Sequence, residues 1–149
     1  MSNFSHKQYK KQQRGFTLLE LLVVISIIGI LIAIGVAAFT TAQRKARDAR
    51  RKSDIKAIQD GFEQYYSSNG NNNYHDNCST MFGVSEIFPA GQPTDPKTGS
   101  PYTDVNCTAS SYCVCAELET NVGNRTTDCG GTDSDGDGQM DYYCLTNLQ

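Results

Sequence analysis

The chain has 149 residues and a net charge of −3, from 13 basic and 16 acidic side chains. This length suits one modest domain with an additional segment. The small net charge conceals an asymmetry: residues 1–56 hold eleven of the basic side chains, whereas residues 58–149 hold thirteen acids against two bases. The sequence therefore predicts a basic stem joined to an acidic head.

The first 15 residues are polar and carry only basic charges, at Lys7, Lys10, Lys11 and Arg14. We interpret residues 1–15 as a basic leader. A secretory signal peptide would have a shorter apolar region followed by a cleavage site of small residues. Here the unusual junction, Arg14-Gly15-Phe16-Thr17, comes before the apolar region instead.

Residues 16–39 form an apolar run with a single charge, Glu20. As an α-helix this run would be about 36 Å long, enough to cross a bilayer core of about 30 Å. A carboxylate on such a helix costs about 2.5–3.5 kcal/mol near the bilayer centre. Glu20 must therefore reach the headgroups or find a partner. We predict a transmembrane or polymerisation helix over residues 16–39.

The helical pattern continues beyond Phe39 without a proline. Residues 40–67 form an amphipathic segment whose apolar side chains fall at helical spacing, at Ile55, Ile58, Phe62 and Tyr65. Gly70, within a run of serine and asparagine, is the predicted stop. One helix of about 50 residues is too long to be buried in so small a domain. Its first half must lie in a membrane or among other copies, and its second half carries the head.

Residues 68–149 have the composition of a small β-rich head, with all four prolines and most of the glycines. The best predicted strand is 112–120, which places Tyr112, Val114, Ala116 and Leu118 on one face. Segments 142–145 and 102–105 are the other candidates. We expect a small antiparallel sheet packed on the apolar helix face, which makes the fold class α+β.

All six cysteines lie in this head, at Cys78, Cys107, Cys113, Cys115, Cys129 and Cys144. An even number in one region indicates disulfides formed in an oxidising compartment. We favour such bridges over redox or metal chemistry at Cys113-Val-Cys115. Six cysteines allow 15 connectivities. We prefer Cys129–Cys144, because it would close the aspartate-rich loop described next, and leave the partners of the other four open.

The strongest motif in the head is an aspartate-rich segment from residue 133 to 141, the Asp loop. Asp133, Asp135 and Asp137 occupy positions 1, 3 and 5 of a calcium-binding loop, and Gly138 supplies the turn at position 6. The remaining predicted ligands are the backbone carbonyl of Gln139 and the side chain of Asp141. Position 12, usually a bidentate acid, is a cysteine here. We predict a Ca²⁺ site without an EF-hand; the alternative is a solvated acidic turn.

The segment from Arg14-Gly15-Phe16 through Glu20 to Val24 closely resembles the class III signal of type IV pilins and type II secretion pseudopilins. The resemblance covers residues 7–39 and implies a pilin-like fold. It also implies that a membrane peptidase cuts after Gly15 and methylates the new N-terminus at Phe16. Glu20 matches the family's glutamate, which pairs with the N-terminal amine of a neighbouring subunit. Gly29 matches a glycine that the family commonly has, but Ala37 stands where the family commonly has a proline. Whether the helix unwinds on assembly is therefore left open.

The resemblance implies a structural subunit of a type IV pilus or a pseudopilus. Its expected partners are copies of itself, the prepilin peptidase and methylase, and an inner-membrane assembly platform. The chain would be a single-pass membrane protein with an exported head and later part of an extracellular or cell-envelope filament. The sequence leaves open which filament it forms, and whether as a major or minor subunit.

The alternative function is a membrane-anchored, calcium-dependent binding or adhesion protein that never polymerises. No catalytic constellation is evident, so we do not expect an enzyme. The basic stretch at residues 44–56 favours burial against neighbouring subunits over nucleic-acid binding. Basic residues flank the apolar run on both sides, so charge counting does not fix its orientation. The clustered cysteines and the calcium-like loop favour an exported head.

Overall fold

The computed structural model describes residues 15–149, so most of the predicted leader lies outside the described residues. The chain divides into two units, the first ending at Phe39 and the second, the globular unit, comprising Thr40–Gln149. Helix α1 spans Leu18–Ser68 and the short helix α2 spans Cys78–Phe82. The strands are β1 (Val105–Cys107), β2 (Tyr112–Glu117) and β3 (Tyr142–Thr146). A long helix with a small sheet confirms the α+β prediction.

The core of the globular unit forms on the helix face that the sequence predicts. Ile55, Ile58 and Phe62 are fully buried, as their helical spacing requires. The Phe62 ring lies 4.9 Å from that of Phe82 and 5.1 Å from that of Tyr112, between ring centroids. Tyr65, the fourth predicted core residue, is only partly buried at the edge of this cluster. The sheet therefore packs on one stripe of α1 through aromatic side chains.

The three strands form an antiparallel sheet in the order β1-β2-β3. The predicted strand at 102–105 is displaced, because β1 begins only at Val105. Tyr102 instead packs on α1 from a loop, where its hydroxyl donates to Asp54 at 2.9 Å. Strand β2 is shorter than predicted and ends at Glu117. The N–H of Leu118 still donates to the backbone carbonyl of Asp141 at 2.7 Å, next to β3. The N–H groups of Glu119 and Thr120 then donate to the side chain of Asp48 on α1.

The disulfides differ from the predicted pairing. The bridges are Cys78–Cys107, Cys113–Cys129 and Cys115–Cys144. The predicted Cys129–Cys144 pair is therefore wrong. The sheet register explains the outcome, because it places Cys115 directly opposite Cys144 on the neighbouring strand, with 4.1 Å between their Cα atoms. Cys129 is then left to pair with Cys113.

A buried ion-pair cluster joins α1 to the loops of the globular unit. Arg51 is only 5% exposed and lies 3.0 Å from Asp48, 2.5 Å from Asp95 and 3.3 Å from Glu119, between charged side-chain atoms. Arg47 forms a two-pronged hydrogen bond to Glu119, at 2.6 and 2.7 Å. Arg47 and Arg51 belong to the basic stretch 44–56, which we predicted to be buried against neighbouring subunits. Here they bind acidic side chains of the same chain instead.

Candidate processing, assembly and metal sites

The predicted processing junction lies just before α1. Apart from its two chain neighbours, none of the described residues has an atom within 4 Å of the position that a β-carbon on Gly15 would occupy. The side chain of Phe16 is 91% exposed. The described part of the junction, Gly15–Thr17, is free of regular secondary structure. A glycine at such a junction lets the backbone lie close to a peptidase cleft, because it carries no side chain.

Glu20 takes part in a reciprocal cap at the start of α1. Its carboxylate accepts the backbone N–H of Thr17 at 2.8 Å and the Thr17 hydroxyl at 3.0 Å. In return, the backbone N–H of Glu20 donates to the Thr17 hydroxyl oxygen at 3.2 Å. This is a capping box, in which threonine precedes the helix and glutamate is its third residue. The sequence analysis missed the role of Thr17, although the Thr-x-x-Glu spacing signals it.

The described part of the first unit has an exposed apolar surface. Its large apolar side chains, from Phe16 to Phe39, are all exposed, by between 46% at Val23 and 91% at Phe16. By length and composition, α1 is able to cross a membrane. A surface this apolar requires lipid or other protein chains around it.

The Asp loop folds around its first aspartate. The carboxylate of Asp133 accepts the backbone N–H groups of Gly136 and Gly138, at 3.0 and 3.1 Å. The second of these bonds is the main reason that the pKa of Asp133 is lowered. Gly138 has a φ of +71°, which glycine adopts without strain. The turn at this position therefore follows the predicted pattern.

The four predicted carboxylate ligands lie together in the structure. One oxygen from each of Asp133, Asp135, Asp137 and Asp141 lies within 4.8 Å of the others. Oxygens on opposite sides of a Ca²⁺ ion are about 5 Å apart, because Ca²⁺–O distances are 2.3–2.6 Å. The spacing of the cluster therefore fits Ca²⁺.

Asp141 differs from the other three because it is buried. It is only 5% exposed, and its Oδ1 atom has no hydrogen-bond partner among the described residues. Burial raises the pKa of Asp141, and the charges of Asp135, Asp133 and Asp137 raise it further. An unpaired buried carboxylate oxygen is unfavourable unless a cation or a donor meets it. This atom is the feature of the loop for which a bound cation would account.

Residues 119–125 support the Asp loop, a role that the sequence analysis did not predict. The Asn121 side chain contacts the Gln139 side chain, and the Gly123 N–H donates to the carbonyl of Met140 at 2.6 Å. A β-carbon on Gly123 would lie 2.1 Å from the carbonyl oxygen of Tyr142, so only glycine fits. Asn124 exchanges two hydrogen bonds with the backbone of Cys144, at 2.7 and 2.8 Å. The segment thus fixes the end of the Asp loop to β3.

Comparison with known proteins locates a family signal at the N-terminus. Residues 10–36 match the family model of the prokaryotic N-terminal methylation motif. The chain is 35% identical over 60 residues to the type IV major pilin protein PilA of Myxococcus xanthus. That match covers 40% of this chain and 27% of the relative. No solved structure gives a significant match.

Two further relatives match beyond the apolar run. The type II secretion system core protein G of Escherichia coli is 35% identical over 91 residues, covering 61% of this chain and 58% of the relative. The type IV wide pilus major component PilA4 of Thermus thermophilus is 30% identical over 107 residues. This match covers 71% of this chain and 74% of the relative. The chain thus spans about a quarter of the length of PilA and under three fifths of that of core protein G. It spans about three quarters of the length of PilA4.

Proposed function

Because this chain belongs to the family of type IV pilins and type II secretion pseudopilins, we propose that it is the structural subunit of a filament of one of these kinds. The observation that carries the proposal is the first unit. Its large apolar side chains are exposed from Phe16 to Phe39, directly after the Gly15–Phe16 junction. One apolar surface can be stored in a bilayer and later be buried among other copies of the same helix.

Processing would occur at the Gly15–Phe16 bond. A prepilin peptidase would remove residues 1–15 and a methylase would modify the new amine of Phe16. The precursor would be a single-pass membrane protein with its globular unit exported, and an inner-membrane assembly platform would move it into the filament. Three bridges among six cysteines support an oxidising location for the globular unit.

Glu20 would direct the position of each subunit within the filament. Its carboxylate already accepts two hydrogen bonds from Thr17. A carboxylate offers about four lone-pair sites, so these two bonds leave sites free on Glu20. The Phe16 amine of a neighbouring copy would donate a charge-assisted hydrogen bond to one of them. Away from water such a contact is strong, so subunits placed without it would be disfavoured.

The Asp loop would bind one Ca²⁺ ion and stabilise the globular unit. Asp133, Asp135, Asp137 and Asp141 would supply carboxylate oxygens and Gln139 its backbone carbonyl. Support comes from the spacing of the four carboxylates and the unpaired oxygen of Asp141. Position 12 of the loop, Cys144, is bonded to Cys115 and cannot act as the usual bidentate ligand. We therefore expect a Kd of about 10⁻⁴–10⁻³ M, as in extracellular modules.

Electron microscopy of cells with the Glu20→Val substitution tests the filament proposal. We expect the variant to insert into the membrane and to be cleaved after Gly15, but to form no filaments. Leu21→Val is the matched control, because it changes the same helix turn without removing a charge, and it should assemble. Intact-mass measurement of the native protein should show loss of residues 1–15 and gain of one methyl group. A cleaved, membrane-bound chain that forms no filament even unsubstituted would instead indicate an anchored binding protein.

A further inference from the structure

Four sulfur atoms lie in one cluster beside the sheet, and they differ in accessibility. Cys115 is fully buried and Cys144 is 4% exposed. Cys113 and Cys129 are only partly buried. The Cys115–Cys144 bridge is thus enclosed, whereas the Cys113–Cys129 bridge borders solvent. Thiol–disulfide exchange requires direct contact between sulfur atoms, so an external oxidant or reductant reaches the second bridge and not the first.

The two bridges nevertheless touch each other. The sulfur of Cys129 lies 3.3 Å from the sulfur of Cys115, although these two atoms are not bonded. The sulfur of Cys113 lies 3.7 Å from that of Cys115. Cys113 and Cys115 are two residues apart on one strand, where Cα atoms are about 6.5 Å apart, at the long end of the range that disulfides span. Of the two accessible sulfur atoms, that of Cys129 therefore lies nearer to Cys115 of the buried bridge.

We propose that Cys129 is the entry sulfur through which a thiol–disulfide oxidoreductase, or another disulfide oxidant, forms the buried Cys115–Cys144 bridge. The Cys129 thiolate attacks the oxidant's disulfide and forms a mixed disulfide, releasing one oxidant sulfur as a thiolate. The Cys115 thiolate then attacks the sulfur of Cys129, so that the Cys115–Cys129 bond forms and the second oxidant sulfur leaves. One disulfide of the oxidant has then been reduced and two cysteines of the chain have been oxidised.

The bridge then moves inward. The Cys144 thiolate attacks the sulfur of Cys115, the Cys115–Cys144 bond forms, and Cys129 leaves as a thiolate without further oxidation. A second oxidising equivalent joins Cys129 to Cys113. The guanidinium of Arg125 lies 3.7 Å from the Cys113 sulfur, and a positive charge there favours the thiolate that Cys113 must supply for this last step.

Two single substitutions separate this relay from a merely structural bridge. Cys113→Ser and Cys129→Ser both remove the Cys113–Cys129 bridge, so loss of that cross-link affects both variants alike. Only Cys129→Ser removes the entry sulfur. The reduced full chain in detergent is reoxidised with oxidised glutathione, quenched with N-ethylmaleimide, and mapped by tandem mass spectrometry. We expect Cys115–Cys144 to form at the unsubstituted rate in Cys113→Ser and roughly tenfold or more slowly in Cys129→Ser. Equal rates in the two variants overturn the proposal.

A second measurement needs no variant and decides the question if either variant fails to fold. The oxidised chain is partly reduced with dithiothreitol and quenched at successive times. Reduction of the accessible bridge should free Cys129 to attack Cys115, giving a species with a Cys115–Cys129 bond and alkylated Cys113 and Cys144. If the buried bridge is never replaced by Cys115–Cys129 at any time before full reduction, the relay does not exist.

Discussion

The carboxylate of Asp48 on helix α1 accepts both the backbone N–H and the hydroxyl of Thr120, at 2.9 and 2.5 Å. The same carboxylate accepts the backbone N–H of Glu119 at 2.8 Å and the guanidinium of Arg51 at 3.0 Å. Asp48 is 2% exposed, so these donors replace water around its charge. One side chain thus holds the start of the segment 119–125 against the helix, and that segment in turn supports the Asp loop.

We expect Asp48→Ala to lower the free energy of unfolding by about 3 kcal/mol, because buried donors lose their acceptor and Arg51 loses one of its partners. Thermal unfolding of the full chain in detergent, followed by near-ultraviolet circular dichroism, measures the effect. Asp60→Ala is the control, because Asp60 pairs with Lys56 at the surface and such pairs contribute less than about 1 kcal/mol. Equal losses in the two variants would contradict the role assigned to Asp48.

The same cluster predicts a dependence of stability on pH. The two-pronged hydrogen bond from Arg47 lowers the pKa of Glu119 to about 2, well below the unfolded value of about 4.3. A carboxyl group whose pKa is lower in the folded state stabilises the fold above its unfolded pKa. That stabilisation is lost as the pH falls from about 5 towards 2.

Replacement of Glu119 by glutamine should therefore reduce stability at neutral pH and flatten its decline in acid. Urea unfolding at a series of pH values tests this difference. Glu117→Gln is the matched control, since Glu117 is exposed two residues earlier and should leave the acid profile unchanged. A Glu119→Gln variant with the same steep acid profile as the unsubstituted chain would assign the pH dependence to other carboxylates.

The sequence predicted the helix and its core well, because both follow from periodic apolar side chains. It did not predict that Asp48 and Arg51 lie inside the globular unit. Positions 48 and 51 continue, towards the N-terminus, the three- and four-residue spacing of Ile55, Ile58 and Phe62. This spacing is the signal that could have placed both charged residues on the buried face of the helix. Charged residues are rarely buried unless paired, and their partners, such as Glu119, are too distant in sequence for local patterns to reveal.

The strand ends and disulfides were less predictable for a related reason. Beyond strand β2, the N–H groups of Glu119 and Thr120 donate to Asp48 of α1. The pairing of Cys115 with Cys144 follows from the β2–β3 register. Neither fact is local in sequence. The clustering of the four aspartates of the Asp loop was predictable because they lie within nine consecutive residues. The burial of Asp141, in contrast, depends on neighbours that only the fold brings together.

The capping box separates two possible roles of Glu20. Glu20→Gln should keep the cap, because glutamine also serves at the third helical position, but it removes the charge offered to a neighbouring amine. Thr17→Ala should weaken the helix start by about 1 kcal/mol and keep that charge. We expect Glu20→Gln to abolish filaments and Thr17→Ala to reduce them at most modestly, as counted by electron microscopy. The reverse order would show that the cap, and not the charge, is needed for assembly.

Calcium should raise the melting temperature of the oxidised chain, because an ion that binds only the folded state stabilises it by mass action. At 10 mM Ca²⁺ and a Kd of about 10⁻⁴ M, the expected gain is about 2.7 kcal/mol. Thermal unfolding with 10 mM Ca²⁺ and with excess chelator measures it. Asp135→Ala should remove the difference, because it deletes one ligand from the exposed side of the loop while all three disulfides remain.

Asp76→Ala provides the control for that experiment. Asp76 is also an exposed acid of the globular unit, but it lies outside the Asp loop, so its loss should leave the calcium response intact. Asp141→Asn tests the buried ligand separately: the amide keeps the volume of the side chain and removes its charge. We expect it to weaken calcium binding and to stabilise the chelated protein, because the unpaired buried carboxylate is gone. If the unsubstituted chain melts at one temperature with calcium and with chelator, the four carboxylates form an acidic turn and not a metal site.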